Sequence, residues 1–413
     1  MTPRTRRQVL RAGGAAAATI ATAGCSALTG DGDDGGDGGG GDEATYPTRP
    51  DTIFQGNVER QGRWEGETVP EDVRVAWSIP GINKGDHSAA KPSPLVYDGS
   101  VICPGDVGTV FSFSPGGGFE WATALHPSNY STHATPAIAG GKIYTSGYDG
   151  AVYRIDAASG EIDWRTKISD AIGSSPNYYD GKLYVATEFY TPSGGMTVLD
   201  AASGGVVWKD NRPSNHCHSQ TGLDPDAGVF AAGSNDGNCY VWELEGPAFR
   251  GKFETDEPIK GPIAMHDGRA IFGSWDHNVY AVDVETLEAD WTYETDGLCM
   301  AGAAIDEERS LAITGSRDGF VHAIDLESGE ERWTFDTGGY VLGSPVIAGD
   351  TVLSGTYNDT LYALALEDGQ PQWIFDEPEG YVTSSPVVHD GDVYVSGRAT
   401  DEVTGHLWKL VAR

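Results

Sequence analysis

From residue 73 to the end of the chain, apolar positions come in short runs, each closed by a turn signal. The runs are roughly five to eight residues long, the length of a strand rather than a helix. Runs 143–146 and 152–156 flank Tyr148-Asp149-Gly150; runs 270–273 and 279–283 flank Trp275 to Asn278. Runs 353–356 and 360–364 flank Tyr357-Asn358-Asp359. Asp-Gly and Asn-Asp are tight-hairpin signals, because Gly supplies positive φ and Asp or Asn tolerates it. The runs do not alternate cleanly between apolar and polar, which predicts strands buried on both faces. No stretch of helical period and length appears outside the N-terminal segment, so the pattern predicts an all-β fold.

Two markers recur with a period near 42 residues. A small-residue step precedes one strand of each unit: Ser93-Pro94, Thr135-Pro136, Ser175-Pro176, Thr221-Gly222, Gly261-Pro262, Ala301-Gly302, Ser344-Pro345 and Ser385-Pro386. An aromatic marks another strand: Trp77, Trp121, Trp164, Trp208, Phe253, Trp291, Trp333 and Trp373. The sequence reads Phe253 as the substitute for tryptophan in the fourth unit. Eight repeats of four strands predict an eight-bladed β-propeller. The two series are offset: Trp77 precedes the first step, and no tryptophan-bearing closing strand follows the last. Strand 73–79 is therefore expected to complete the last blade, so that the two chain ends close the ring.

The unit Val-Tyr-Ala-x-Asp-x-x-[Ser/Thr]-Gly-x-x-x-Trp stands nearly intact from Val152 to Trp164, Val279 to Trp291 and Val321 to Trp333. Leu361 to Trp373 is a looser copy, with Ala365 in place of Asp. This unit resembles the PQQ-like, or tryptophan-docking, repeat of quinoprotein dehydrogenases and BamB-like lipoproteins. The resemblance covers residues 73–413. It implies the propeller, and it implies Trp77, Trp121, Trp164, Trp208, Trp291, Trp333 and Trp373 as blade-docking residues. It is silent on chemistry, because a propeller is a scaffold whose function lies in loops and channel. The dehydrogenases carry an adjacent-cysteine disulfide, calcium ligands and a catalytic Asp. This chain has no Cys-Cys pair and little inserted sequence between repeats, so no cofactor and no catalytic residue are assigned. The BamB-like branch implies a non-enzymatic, protein-binding scaffold. The alternative is a PQQ-dependent or metal-dependent extracellular oxidoreductase.

Charge narrows the partners. The net charge is −34, from 61 acidic and 27 basic residues, which argues against nucleic acid. Abundant Asp and scarce Lys resemble the protein composition of extreme halophiles. At the N-terminus, Arg6-Arg7 precedes a short Ala-rich run ending in Thr22-Ala23-Gly24-Cys25. This reads as a Tat-type lipoprotein signal over 1–24 with Cys25 as the lipidation site. Residues 25–45 form a Gly/Asp-rich tether with a reach on the order of 25 Å. Residues 46–72 are a lead-in without clear periodicity, and 73–413 the propeller. The expected setting is the outer face of the cytoplasmic membrane, reached through the lipid anchor only, with a protein partner at the cell surface and a monomeric state.

Four cysteines remain, Cys103, Cys217, Cys239 and Cys299. They are either buried thiols or disulfides, whose connectivity sequence does not give. His216-Cys217-His218 is the one histidine concentration; His87 and His133 lie at comparable places in blades 1 and 2. These four histidines are metal candidates without a diagnostic spacing. On a strand, His216 and His218 would share a face and Cys217 the other. Asn129 and Asn358 fit the N-glycosylation pattern.

Overall fold

A computed structural model describes residues 47–49, 51–83, 92–126, 131–191, 193–377, 380–398 and 404–413. Cys25, Arg6, Arg7, His87 and Asn129 lie outside them. No helix occurs among the described residues. The strands form eight antiparallel four-stranded sheets set in a ring, an eight-bladed β-propeller. Blades 1 to 7 span residues 95–124, 137–167, 177–210, 222–254, 264–294, 304–336 and 346–375. Each runs from a three-residue inner strand to an outer strand on the rim. Blade 8 takes three strands from the C-terminus and its outer strand, Val73–Asn83, from the N-terminus. That strand pairs with Gly405–Ala412 from Val73 opposite Ala412 to Asn83 opposite Gly405, longer than the expected 73–79.

The repeat motif has a physical reason at each position. Its Asp caps the turn between the third strand and the outer one. Asp325 accepts from the amides of Glu327 and Ser328 and from the Ser328 hydroxyl; Asp156 does the same in its blade, Asp200 accepts from the Ser203 amide and hydroxyl, and Asp283 from the amides of Glu285 and Thr286. The glycine that follows sits at positive φ, 72° at Gly329. There the tryptophan of the preceding blade lies against it: a β-carbon on Gly329 would fall 2.6 Å from Trp291 Cβ. The indole N–H of Trp291 donates to Leu326 O at 2.9 Å. Trp121, Trp164 and Trp333 reach Ala157 O, Ala201 O and Leu366 O of the next blade in the same way. At the seam, Trp77 donates to Pro115 O in blade 1. Trp373 donates to Pro70 O, just ahead of the closing strand. Each indole thus buries a large apolar surface between blades while its one polar atom is satisfied.

Blade 4 corrects the sequence reading. In blades 5 and 6 the docking tryptophan pairs with the residue just before the outer-strand bulge, Trp291 with Ala281 and Trp333 with Ala323. The residue in that register in blade 4 is Gly251, paired with Val241; Phe253 lies two residues on, matching Tyr293 and Phe335. Phe253 packs instead on Phe272 and Tyr280. The size is made up from blade 5, where Leu287 holds the turn position that is glycine in blade 6. Leu287 keeps the positive φ, 59°, and its Cδ1 fills the space over Gly251. A large-on-small contact has become small-on-large. Trp208 stays in register and packs edge-on against Phe230 and Trp242.

The lead-in is a strap across the channel. Inner strands have an unpaired edge facing the axis, and the strap satisfies it blade by blade. Thr52–Ile53 adds a fifth strand to blade 2. Val58 O, Glu59 O, Gln61 O and Gly62 O then accept from Leu223, Met265, Ile305 and Ile347, the middle residues of the inner strands of blades 4, 5, 6 and 7. Trp64 Nε1 donates to Pro386 O, beside the inner strand of blade 8. Arg60 is fully buried and donates to the carbonyls of Phe54, Ser175, Pro176 and Thr221. Burial pulls its pKa down to about 9, and those acceptors keep it charged at neutral pH. Phe54 reaches the axis, where it and the inner-strand steps enclose a void of about 40 Å³.

A candidate binding site at the channel mouth

On the side away from the strap, the channel widens into a cavity of about 460 Å³. It is built by loops from blades 3 to 7. Glu188 ends the second strand of blade 3 and is held there by its backbone, paired with Ala171. Its carboxylate accepts from the Gly173 amide at 3.0 Å and meets His218 Nδ1 at 2.8 Å. His216 Nδ1 lies 3.6 Å from the other oxygen, and His216 Nε2 is 2.9 Å from Phe189 O. Burial opposes charge on Glu188, but His218, His216 and the Gly173 amide outweigh it and hold the carboxyl below its ordinary value. Gly173 has to be small: a β-carbon there would lie 2.4 Å from His218 Cε1.

The opposite wall is cationic and aromatic. Lys260 Nζ stands 3.7 Å from the ring centre of Trp275, and the Arg317 guanidinium 4.7 Å from that of Tyr340. Tyr340 leads to Tyr357, which stacks on Tyr381 at 4.7 Å, and Arg398 lies over Tyr381. Burial lowers the pKa of Lys260, partly offset by Glu188. Leu298, Met300 and Leu342 supply the apolar floor. Trp275, Arg317 and Tyr357 hold one position of the recurring hairpin turn, which the sequence reading used only as a turn signal, so it missed Lys260, Arg317, Trp275 and Tyr340 as site residues. Their only common sign was a large or charged residue next to the small-residue steps and hairpin turns.

Of the histidines singled out from sequence, His216 and His218 share the mouth and one carboxylate. His133 is buried beside Tyr148, 4.8 Å between ring centres, and Tyr148 in turn lies 6.4 Å from His218. Among the described residues these rings do not form a metal-ligand group; the one trio of potential ligands close enough is Glu67, His389 and Asp390 on the strap side. Cys217 turns away from its two histidines into the core between blades 3 and 4. All four cysteines are free and buried. Burial pushes the thiols of Cys103 and Cys239 up to about 12 and that of Cys299 up to about 11, and raises Cys217 as well. Asn358 is exposed, with its Nδ2 donating to Thr337 O at 2.6 Å.

The family model described as outer membrane protein assembly factor BamB matches residues 106–246, 193–306 and 296–407. A BamB of that description from Yersinia pestis is 26% identical over 152 residues. The match spans 33% of this chain and only 36% of that relative's length. Among solved structures, quinohemoprotein alcohol dehydrogenase from Comamonas testosteroni superposes with a TM-score of 0.73 at 13% identity, covering 88% of this chain and 80% of that one. BamB from Moraxella catarrhalis gives a TM-score of 0.63 at 17% identity, covering 83% and 98%. At these identities the structural likeness speaks for the fold alone.

Proposed function

Since this chain belongs to the family described as outer membrane protein assembly factor BamB, we propose that it is a non-catalytic scaffold that docks a protein partner at the cell surface. On this reading Cys25 carries the lipid that tethers it, after export directed by Arg6-Arg7. The observation that carries the reading is the chemistry of the mouth. Its lining holds one carboxylate, Glu188, and that group is already engaged by two histidines and an amide. The four thiols are buried and pushed away from the thiolate form that a nucleophile needs.

The rival is the quinone chemistry named in the dehydrogenase structures, and the residues present do not fit it. Calcium takes six to eight oxygen ligands. One engaged carboxylate facing Lys260 and Arg317 does not supply that set. One face of Trp275 is covered by the Lys260 ammonium rather than open for a flat cofactor.

Affinity capture of the tagged protein from its own membranes, at high salt, is expected to recover a partner in stoichiometric amount. Recovery of none would sink the scaffold reading. Titration with PQQ and Ca²⁺ is expected to leave the absorbance spectrum a simple sum and to give no dye-linked alcohol oxidation. A new absorbance band with turnover would establish the oxidoreductase instead.

A further inference from the structure

Two cations at the mouth, Lys260 and Arg317, face the cavity with no carboxylate against them among the described residues. Many cations of this acidic chain meet a carboxylate, among them Arg49, Lys142, Arg154, Arg165, Arg250, Arg269 and Arg309, while surface residues such as Arg74 and Lys182 do not. Nor do Lys260 and Arg317: among the described residues each has an aromatic face and no ion pair. With 61 acidic residues to choose from, this arrangement keeps two positive charges open toward the same cavity. A cation over an aromatic ring keeps its N–H groups on the far side available to an anion.

The other lining groups narrow the ligand. Besides the cations, the wall offers the Tyr340 hydroxyl and the faces of its aromatic rings, and hydrocarbon from Leu298, Met300 and Leu342. Acceptors are few: Glu188 is engaged, and Asn235 Oδ1 is the side-chain amide oxygen that remains. A sugar needs paired acceptors and donors for its hydroxyls, and this wall is poor in them. A carboxylate beside an apolar side chain matches both halves of the wall. Methionine and exposed tyrosine suit a surface that adapts to peptide side chains. The strap blocks the far end, so a ligand enters and leaves by the mouth alone, and about 460 Å³ admits a few residues at most.

The geometry points to the channel mouth as the seat of an acidic-apolar peptide segment of the docked partner, with its carboxylates on Lys260 and Arg317. This rests on the scaffold reading and gives the partner's contact segment a chemistry. The contacts are short-range, so they persist where long-range steering is screened; at about 1 M salt the Debye length is only about 3 Å.

The test uses the full mature protein and a capped, fluorophore-labelled peptide of alternating glutamate and leucine, followed by anisotropy at low salt and at about 1 M salt. A glutamine-leucine peptide, free glutamate and glucuronate are the comparisons. The expected result is binding of the glutamate peptide, with each of Lys260→Met and Arg317→Ala weakening it on the order of tenfold, the value of one charge-assisted contact. Arg332→Ala, on the outer rim, is expected to leave it unchanged. Equal binding of the glutamine peptide, or no effect of either mouth variant, would overturn the proposal. Displacement by glucuronate or glutamate at concentrations below the peptide's own would assign the site to a small acid, and overturn it too. Arg317 is exposed, so its variant stays informative should Lys260→Met fold poorly. Partner capture that survives both substitutions leaves the scaffold standing and removes only this seat.

Discussion

The exchange between Gly251 and Leu287 shows how one residue's size is set by a neighbour 36 positions away. At Gly117, Gly160, Gly204, Gly329 and Gly369 a tryptophan of the preceding blade lies on the turn glycine; here a leucine reaches back over a glycine. Gly251→Trp alone should destabilise the fold by roughly 1–3 kcal/mol, because Leu287 already fills that space. Adding Leu287→Gly should return much of that loss, since it clears the space and relieves a leucine at positive φ. A double-mutant cycle by chemical denaturation measures the coupling; additive losses would show that the two sites are independent. The repeat's Asp has its own signature in acid. Asp156 is held down to about 2, first by Lys142 and then by the Ser159 amide and hydroxyl, against an unfolded value of about 3.9. A depressed carboxylate contributes above its unfolded value and loses that contribution as pH falls toward its folded one. The melting temperature should therefore drop between about pH 4 and about pH 2, and Asp156→Asn should flatten part of that drop in a scan of both proteins.

Among the elements, the strap was the least legible in the sequence and the blades the most. Blades announce themselves because most present the same turn, the same glycine and the same indole to a neighbour. The strap has no period, because its contacts to blades 4 to 7 are made by backbone carbonyls, which any residue supplies. Phe253 was misplaced by the same logic: an aromatic near the expected interval outweighed a register that only strand pairing reveals. The mouth was half legible. His216 and His218 stood out as a cluster, while Lys260, Arg317 and Tyr340 come from separate loops that only the ring brings together. The strap's keystone is Arg60. Arg60→Met would leave the carbonyls of Phe54, Ser175 and Pro176 without that donor, while Asn177 still serves Thr221 O. At roughly 1 kcal/mol or more for each buried acceptor, the loss should be about 3 kcal/mol. Hydrogen exchange should then quicken together at the amides of Leu223, Met265, Ile305 and Ile347. Unchanged protection there would mean that the strap holds without its arginine.

As a whole molecule, the propeller has two unlike ends. One is crossed by the strap and bordered by Glu59, Asp224, Asp226, Asp267, Glu307 and Glu327. The other is open and gathers Lys260, Arg317 and a run of aromatic rings. Period and composition gave the ring and its acidity, but an average charge hides a local reversal, and only the ring's closure puts those loops side by side. The strap has one more consequence. Between Val58 and Trp64 it advances by one blade every one or two residues. That makes it a ruler. Tandem-repeat genes gain and lose units by duplication and deletion, and a plain ring can accommodate the change by opening or tightening. Here an added or missing blade would put every later contact of the ruler out of step. The strap, which precedes the blades in the chain, therefore fixes how many repeats can follow it.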